Sequence, residues 1–476
     1  MIKRIFQYCD RWTEAFIQDR FFLLKLFLVA LALRIGLILL HPQVNLVSDM
    51  LGYHESGMSL LQNGDLRVKG RLSASRPPLY PIFIYMIYYL FGAGNIFAVR
   101  ICQAVLSAIT CLLSYRLGEK VFDKRAAVWA GLLMAIYPAA WSFSDLILSE
   151  TLFIFLFVSG VLFLIELPRG RFSDAVFAGF FLGLATLTRT ALYLFPVLFS
   201  VVALFFFRER WKMLSGLALF IFVFWLVLIP WQARNARVFG KPILTTKSGV
   251  DLFFYNHNPL SYIIYNYSKE DSEELQGIVA WKLSETQKDD LCRKAAINWI
   301  REHPFLFLFK GIRMQWNFFG VEREYGWSLL AGYWGKVPRW QLALILLVTA
   351  PGIYLLMPLF IWGAAYAWDR SPERITLFVI IAYFLALTFV YYGFARHRAP
   401  LNPIMMVFAG YFLANWRHAA DDLKIAGILR RKRALLAIAV FGFFILGWIL
   451  ELYVDFGSAL HLGFMHEHWK NLVPGQ

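Results

Sequence analysis

Runs of about twenty predominantly apolar residues recur along this chain, near 21–41, 96–117, 126–143, 146–166, 173–190, 191–207, 213–232, 341–367, 375–394, 399–416 and 434–453. A helix needs roughly 20 such residues to cross a bilayer, and in lipid only a helix or a closed barrel satisfies its own backbone. Charged residues are only 16% of the 476, against 59% hydrophobic, too few to clothe a soluble domain of this size. The chain therefore reads as an all-α polytopic membrane protein of about eleven transmembrane helices. The first run, Phe21–Leu40, has no small-residue cleavage site close behind it and is expected to stay as a span. The run Leu79–Phe91 is too short to cross, and Pro77 and Pro78 suit the start of a helix lying at the interface.

The net charge of +16 could suggest a nucleic-acid partner, but the basic residues form short clusters between apolar runs rather than one patch. With the N-terminus inside, every expected inner loop is basic: Lys120 to Arg125, Arg169 and Arg171, Arg208 to Lys212, Arg370 and Arg374, and Arg417 to Arg433. No nucleic-acid partner is expected. The same topology divides the chain into an N-terminal transmembrane region (1–232) with a first outer loop at 42–95, an outer segment at 233–340, and a C-terminal transmembrane region and tail (341–476). The outer segment is expected to form a small domain. The four cysteines have no metal-ligand spacing, and no internal repeat of the kind expected in a transporter is evident.

Six separate segments then bring acids and bases to one face. Asp49 opens the first outer loop in VSDMLGYHESG, and Arg76 follows in SRPPLYP. Glu150 stands in SDLILSE, Arg189 in LTRTALYLFP, Arg234 in PWQARN, and Arg396, His397 and Arg398 in GFARHRAP. Guanidinium groups bind phosphate in bidentate fashion, and a carboxylate beside them can take a proton from an attacking hydroxyl. Sugar transfer from a polyprenyl phosphate needs both, because the leaving phosphate gains negative charge while the acceptor oxygen needs a base.

These motifs, in this order, resemble the GT-C glycosyltransferases, in the branch of protein O-mannosyltransferases and lipid A aminoarabinose transferases. The resemblance rests on Asp49, SRPPLYP, LSETLF, LTRTALYLFP, the Pro230 to Pro259 series and the Arg396 to Leu401 segment. It implies a membrane-embedded, inverting, metal-independent transferase with a polyprenyl-phosphate-linked sugar as donor and a lipid, glycan or protein as acceptor. Asp49 would be the catalytic acid–base residue and Glu150 the second acidic position. Arg76, Arg189, Arg234, Arg396 and Arg398 would hold the carrier phosphate, with Tyr53, His54 and His397 lining the site. Met50 departs from the Asp-Glu pair of protein mannosyltransferases. No cofactor is expected, and a divalent metal stays open. The topology leads us to expect the active site on the outer face, and the lack of a eukaryotic retrieval signal and of a long insert favours a bacterial inner membrane, where that face is periplasmic.

Each residue also has a plainer reading. Asp49 suits a helix cap, Arg76 a headgroup anchor, and Glu150 with Arg189 a structural ion pair. Arg34, inside the first span, is a functional candidate by position or simply a partner for neighbouring helices. Tyr325, Trp327, Tyr333, Trp334 and Trp340 could stack on sugars but fit an interfacial belt, and His461, His466 and His468 fit one exposed stretch. Two other functions share the arginines: a flippase for lipid-linked sugars, which would spread basic groups along a path through the bilayer, and an O-antigen-type ligase or polymerase with a diphosphate-linked donor.

Overall fold

The computed structural model describes residues 2–68, 70–206, 210–256, 283–320, 322, 332–334, 338, 340, 345, 347, 349, 351–416 and 428–460. Tyr325, Trp327 and the three tail histidines lie outside these. The helices, in chain order, are α1 (Ile2–Gln18), α2 (Phe22–Leu40), α3 (Asp49–Asn63), α4 (Leu79–Phe91), α5 (Ile96–Val121), α6 (Lys124–Ile136), α7 (Pro138–Asp145), α8 (Glu150–Leu164), α9 (Phe172–Thr188) and α10 (Phe195–Phe206). There follow α11 (Arg210–Phe239), α12 (Ser248–Asn256), α13 (Glu285–Glu302), α14 (Pro304–Phe318), α15 (Pro351–Ala367), α16 (Pro372–Val390), α17 (Asn402–Ala414) and α18 (Ile428–Leu460). A two-stranded hairpin, β1 (Arg67–Val68) with β2 (Arg71–Leu72), is paired antiparallel with Arg67 opposite Leu72.

Every apolar run of the sequence overlaps a described helix. By length and composition six described helices can cross a membrane (α2, α5, α8, α11, α16 and α18), or seven if the pair α6 and α7, bent by 46°, is one span. The expected count of about eleven is larger because α9, α10 and α15 are shorter apolar helices, while α17 has only 13 residues. The bend falls where Pro138, lacking an N–H, starts a new helix directly after α6. Large apolar side chains such as Leu28, Phe222 and Leu435 remain exposed on the outer helices, as lipid-facing positions require.

The bundle has two polar ends. α8 runs from Glu150 for 15 residues, about 22 Å, towards Glu166, which pairs with Lys120 and Arg169. The candidate residues gather at the Glu150 end. Between the ends, Arg34 is fully buried and spends its guanidinium on Ser107 Oγ (2.7 Å) and the carbonyls of Ala30, Met134 and Ala135. It ties α2 to α5 and α6, so the structural reading of Arg34 holds. Lys310 of α14 serves the end of α16 in the same manner: its buried ammonium donates to the carbonyls of Phe389, Val390 and Tyr391, the last acceptors of that helix.

Within residues 233–340, α12 and α13 pack around a small core of their own: Leu252, Phe253, Cys292 and Ala296. Gly249 lets the two backbones meet, because a Cβ there would fall 2.1 Å from the carbonyl oxygen of Asp289. Asp289 in turn accepts from the amides of Gly249 and Val250, at the start of α12.

Candidate active site

Asp49 is the first residue of α3, and Glu150 is the first of α8. Both carboxylates thus sit at helix N-termini, where the backbone dipole favours negative charge. Ser48, just before Asp49, has φ 51° and ψ −126°, a conformation usually left to glycine. The chain holds that strained turn and delivers the Asp49 carboxylate to a row of arginines rather than to its own helix amides. No side-chain cap closes α3, so the capping reading of Asp49 does not describe this geometry.

Arg76 reaches Asp49 from the loop after β2, its Nη2 donating to Oδ1 at 3.1 Å. It lies 5.1 Å over the ring of Tyr53, a cation–π contact. Gly52 makes this approach possible: a Cβ there would meet the guanidinium at 2.6 Å. Tyr53 is buried, edge-on to Tyr80, and its hydroxyl donates to Ser149 beside Glu150.

Arg396 joins the two acids. Its Nη1 donates to Asp49 Oδ2 at 3.3 Å and its Nε to Glu150 Oε1. Arg189, the residue that ends α9, donates to the same Glu150 oxygen at 2.5 Å. The result is an unbroken row, Arg76–Asp49–Arg396–Glu150–Arg189, of three cations and two anions. Its formal charge is +1, which suits an anionic ligand. Glu150 is almost wholly buried, and its Oε2 makes no hydrogen bond to the described residues. Burial would raise the Asp49 carboxyl, but Arg396, then Arg76 and Lys247, outweigh it and hold the group at about 2.

Of the other sequence candidates, Arg398, Arg234 and His54 are committed elsewhere, while His397 lies beside the row. Arg398 is fully buried and committed to the carbonyls of Phe318 and Gly320 and to Glu322. Arg234 donates to Asp65 Oδ1 (2.9 Å) and to the carbonyl of Ser73. His54 faces Tyr88, with 2.8 Å between Nδ1 and the hydroxyl. His397 lies edge-on to Tyr392, 4.4 Å between ring centroids, and burial with Arg189 and Arg396 nearby drives its pKa well below the usual value, so it stays neutral. Trp334 is buried against His41, whereas Trp340 is 70% exposed. Among the described residues, no three His, Cys, Asp or Glu side chains gather as metal ligands.

Sequence reasoning missed Asp251 and Lys247, which stand 3.8 Å apart at the start of α12. Tyr255 of the same helix stacks on Tyr392 at 3.9 Å, so α12 borders the arginine row through Tyr392 and His397. Burial, then Asp289 and Asp49 against the opposing pull of Lys247, lifts the Asp251 carboxyl to about 6. A carboxyl raised in the folded state makes the protein less stable as pH rises from about 4 to about 6, with the full cost present above that. Asp251→Asn should therefore remove this slope and stabilise the protein at pH 7.5 by roughly 2 kcal/mol, read from denaturation in detergent across pH. An unchanged slope would show that another group sets it.

Residues 75–231 match the family described as dolichyl-phosphate-mannose-protein mannosyltransferase. That stretch holds Arg76, Glu150 and Arg189 but neither Asp49 nor Arg396. The Archaeoglobus fulgidus oligosaccharyltransferase tethered to an acceptor peptide containing the NVT sequon superposes with a TM-score of 0.50 at 18% identity, over 91% of this chain and 55% of that one. The chain shares the fold of that oligosaccharyltransferase. Two further structures are similar at lower scores. One is the archaeal oligosaccharyltransferase AglB from Archaeoglobus fulgidus, with an inhibitory peptide and a dolichol-phosphate (TM-score 0.49, 17% identity, 92% of this chain and 56% of that). The other is ArnT from Cupriavidus metallidurans bound to undecaprenyl phosphate (0.40, 15%, 86% and 79%). The chain spans about half the length of the oligosaccharyltransferases it matches. No curated protein matches the sequence. Six or seven of the described helices are long and apolar enough to cross a membrane, as a multi-pass membrane protein requires.

Proposed function

We propose that this chain is a membrane glycosyltransferase that moves a sugar from a polyprenyl-phosphate carrier to an acceptor at the outer face of a bacterial inner membrane. The observation that carries the reading is the row of three arginines and two carboxylates at one end of the bundle, with its net positive charge. In this reading the carrier phosphate is held by Arg76, Arg189 and Arg396. Arg234 and Arg398 frame the site instead, since their guanidinium groups are already committed.

Asp49 is the base. At about 2 its carboxylate is too weak to take a proton from a hydroxyl efficiently while both arginines face it. A phosphate arriving between Arg76 and Arg396 competes for those cations and raises the basicity of Asp49 as the donor binds. Asp49 then removes the acceptor proton, the acceptor oxygen attacks the anomeric carbon, and the bond to the phosphate oxygen breaks with its electrons going to the carrier. A single displacement inverts the anomeric centre. Glu150 fixes Arg189 and Arg396, and its Oε2 can accept a hydrogen from the sugar.

The one-sided clustering supports a transferase over a flippase, whose phosphate-binding groups would line a path through the bilayer. The test is turnover of a panel of polyprenyl-monophosphate sugars by the protein in nanodiscs, with the product anomer assigned by NMR. One donor should turn over, giving the inverted anomer. A retained configuration would refute single displacement, and no turnover of any donor despite carrier binding would overturn the reading.

A further inference from the structure

The Arg76 loop has almost no structure of its own. Between β2 and α4 its residues form no ladder and no helix, yet Arg76 must meet Asp49 closely. The three residues before it are instead held from outside, by groups far along the chain. The Glu285 carboxylate accepts from Ser73 Oγ (2.8 Å) and from the amide of Ala74 (3.1 Å). Its Oε2 also accepts from Thr246 Oγ1 at 2.8 Å. The amide of Thr246 donates to the Ala74 carbonyl at 3.0 Å, and Thr245 Oγ1 donates to the Ser75 carbonyl at 3.2 Å. Arg234 takes the Ser73 carbonyl.

Glu285 is itself fixed. It is the first residue of α13, behind a capping box in which Ser284 Oγ accepts from the Gln287 amide and the Gln287 side chain accepts from the Ser284 amide. Its charge sits at the positive end of that helix. The Ala74 amide can only donate, and the Ser73 and Thr246 hydroxyls donate to the carboxylate as well, so both of its oxygens are used as acceptors.

We infer that Glu285 is a positioning residue for Arg76, clasping the Arg76 loop to the second outer segment so that the guanidinium is set for the carrier phosphate. The inference rests on the reading of Arg76 as a phosphate ligand. It makes the outer segment part of the machinery that prepares the donor site, through 212 residues of sequence separation.

The test measures binding of undecaprenyl phosphate to the full-length protein in nanodiscs, with thermal unfolding followed in parallel. Arg76→Ala should weaken binding about 10-fold or more, and Glu285→Ala about 5- to 10-fold, as losing charge-assisted hydrogen bonds implies. Glu285→Gln should fall between, because it keeps an acceptor oxygen for Ala74 and Thr246 but loses the charge that strengthens these bonds. The double variant Arg76→Ala with Glu285→Ala should bind no more weakly than Arg76→Ala alone, since Glu285 acts through Arg76. A merely structural role would make the two losses multiply, and that result overturns the inference. So does wild-type binding by Glu285→Ala while Arg76→Ala is impaired. If Arg76→Ala binds as tightly as wild type, the phosphate reading falls first and the inference with it. Should Glu285→Ala fail to fold, Thr246→Val keeps the backbone contact, removes one hydroxyl from the clasp, and should show the same non-multiplying loss of about 3-fold.

Discussion

Asp49→Asn should lower transfer by about 1,000-fold or more while leaving carrier binding intact, a loss within the range for a positioned general base. The substitution keeps the shape of the side chain and one acceptor oxygen, so Arg76 or Arg396 retains a partner. What disappears is the proposed base. The amide also no longer neutralises the two arginines, so an anionic carrier should bind at least as tightly as to wild type. Steady-state transfer and equilibrium binding of undecaprenyl phosphate, measured on one preparation, separate these effects. Wild-type turnover by this variant would remove Asp49 from the chemistry.

Arg396→Lys should be nearly as damaging, with transfer down on the order of 100-fold despite conserved charge. The guanidinium uses two different nitrogens on two different carboxylates, Nη1 on Asp49 and Nε on Glu150. An ammonium is a single point and cannot span both. One acid would lose its partner, and the buried Glu150 would be left to Arg189 alone. Retained activity in the lysine variant would mean that charge at this position suffices and that the bridge is incidental. The pH profile gives a second readout, because weakening either arginine lets the Asp49 carboxyl rise from about 2 towards its ordinary range and moves the acidic limb upwards.

The helices were legible because an apolar run of that length has few alternatives, and the start of α4 at Leu79 was legible from the prolines before it. Asp49, Arg76, Glu150, Arg189 and Arg396 stood out as charges at the ends of such runs, and the structure brings these five together. Arg396 and Arg398 could not be told apart in the sequence. Two positions apart on the helical turn Ala395–Arg398, they point to opposite sides, one to Asp49 and the other to Glu322. His54 was misleading for the same reason, since five residues along α3 from Asp49 the helix has turned it towards Tyr88. Glu285 and Asp251 lie in a mixed polar stretch whose docking depends on tertiary contacts, so no local pattern marked them.

Asp49 and Arg396 are separated by 347 positions. During synthesis the first acid is therefore made long before the cation that bridges it to Glu150, and the bundle must be nearly complete before that bridge can close. The other partner of Glu150, Arg189, is only 39 positions away. The Glu150–Arg189 pair thus needs only N-terminal helices in place, whereas the bridge through Arg396 needs the C-terminal helices docked as well.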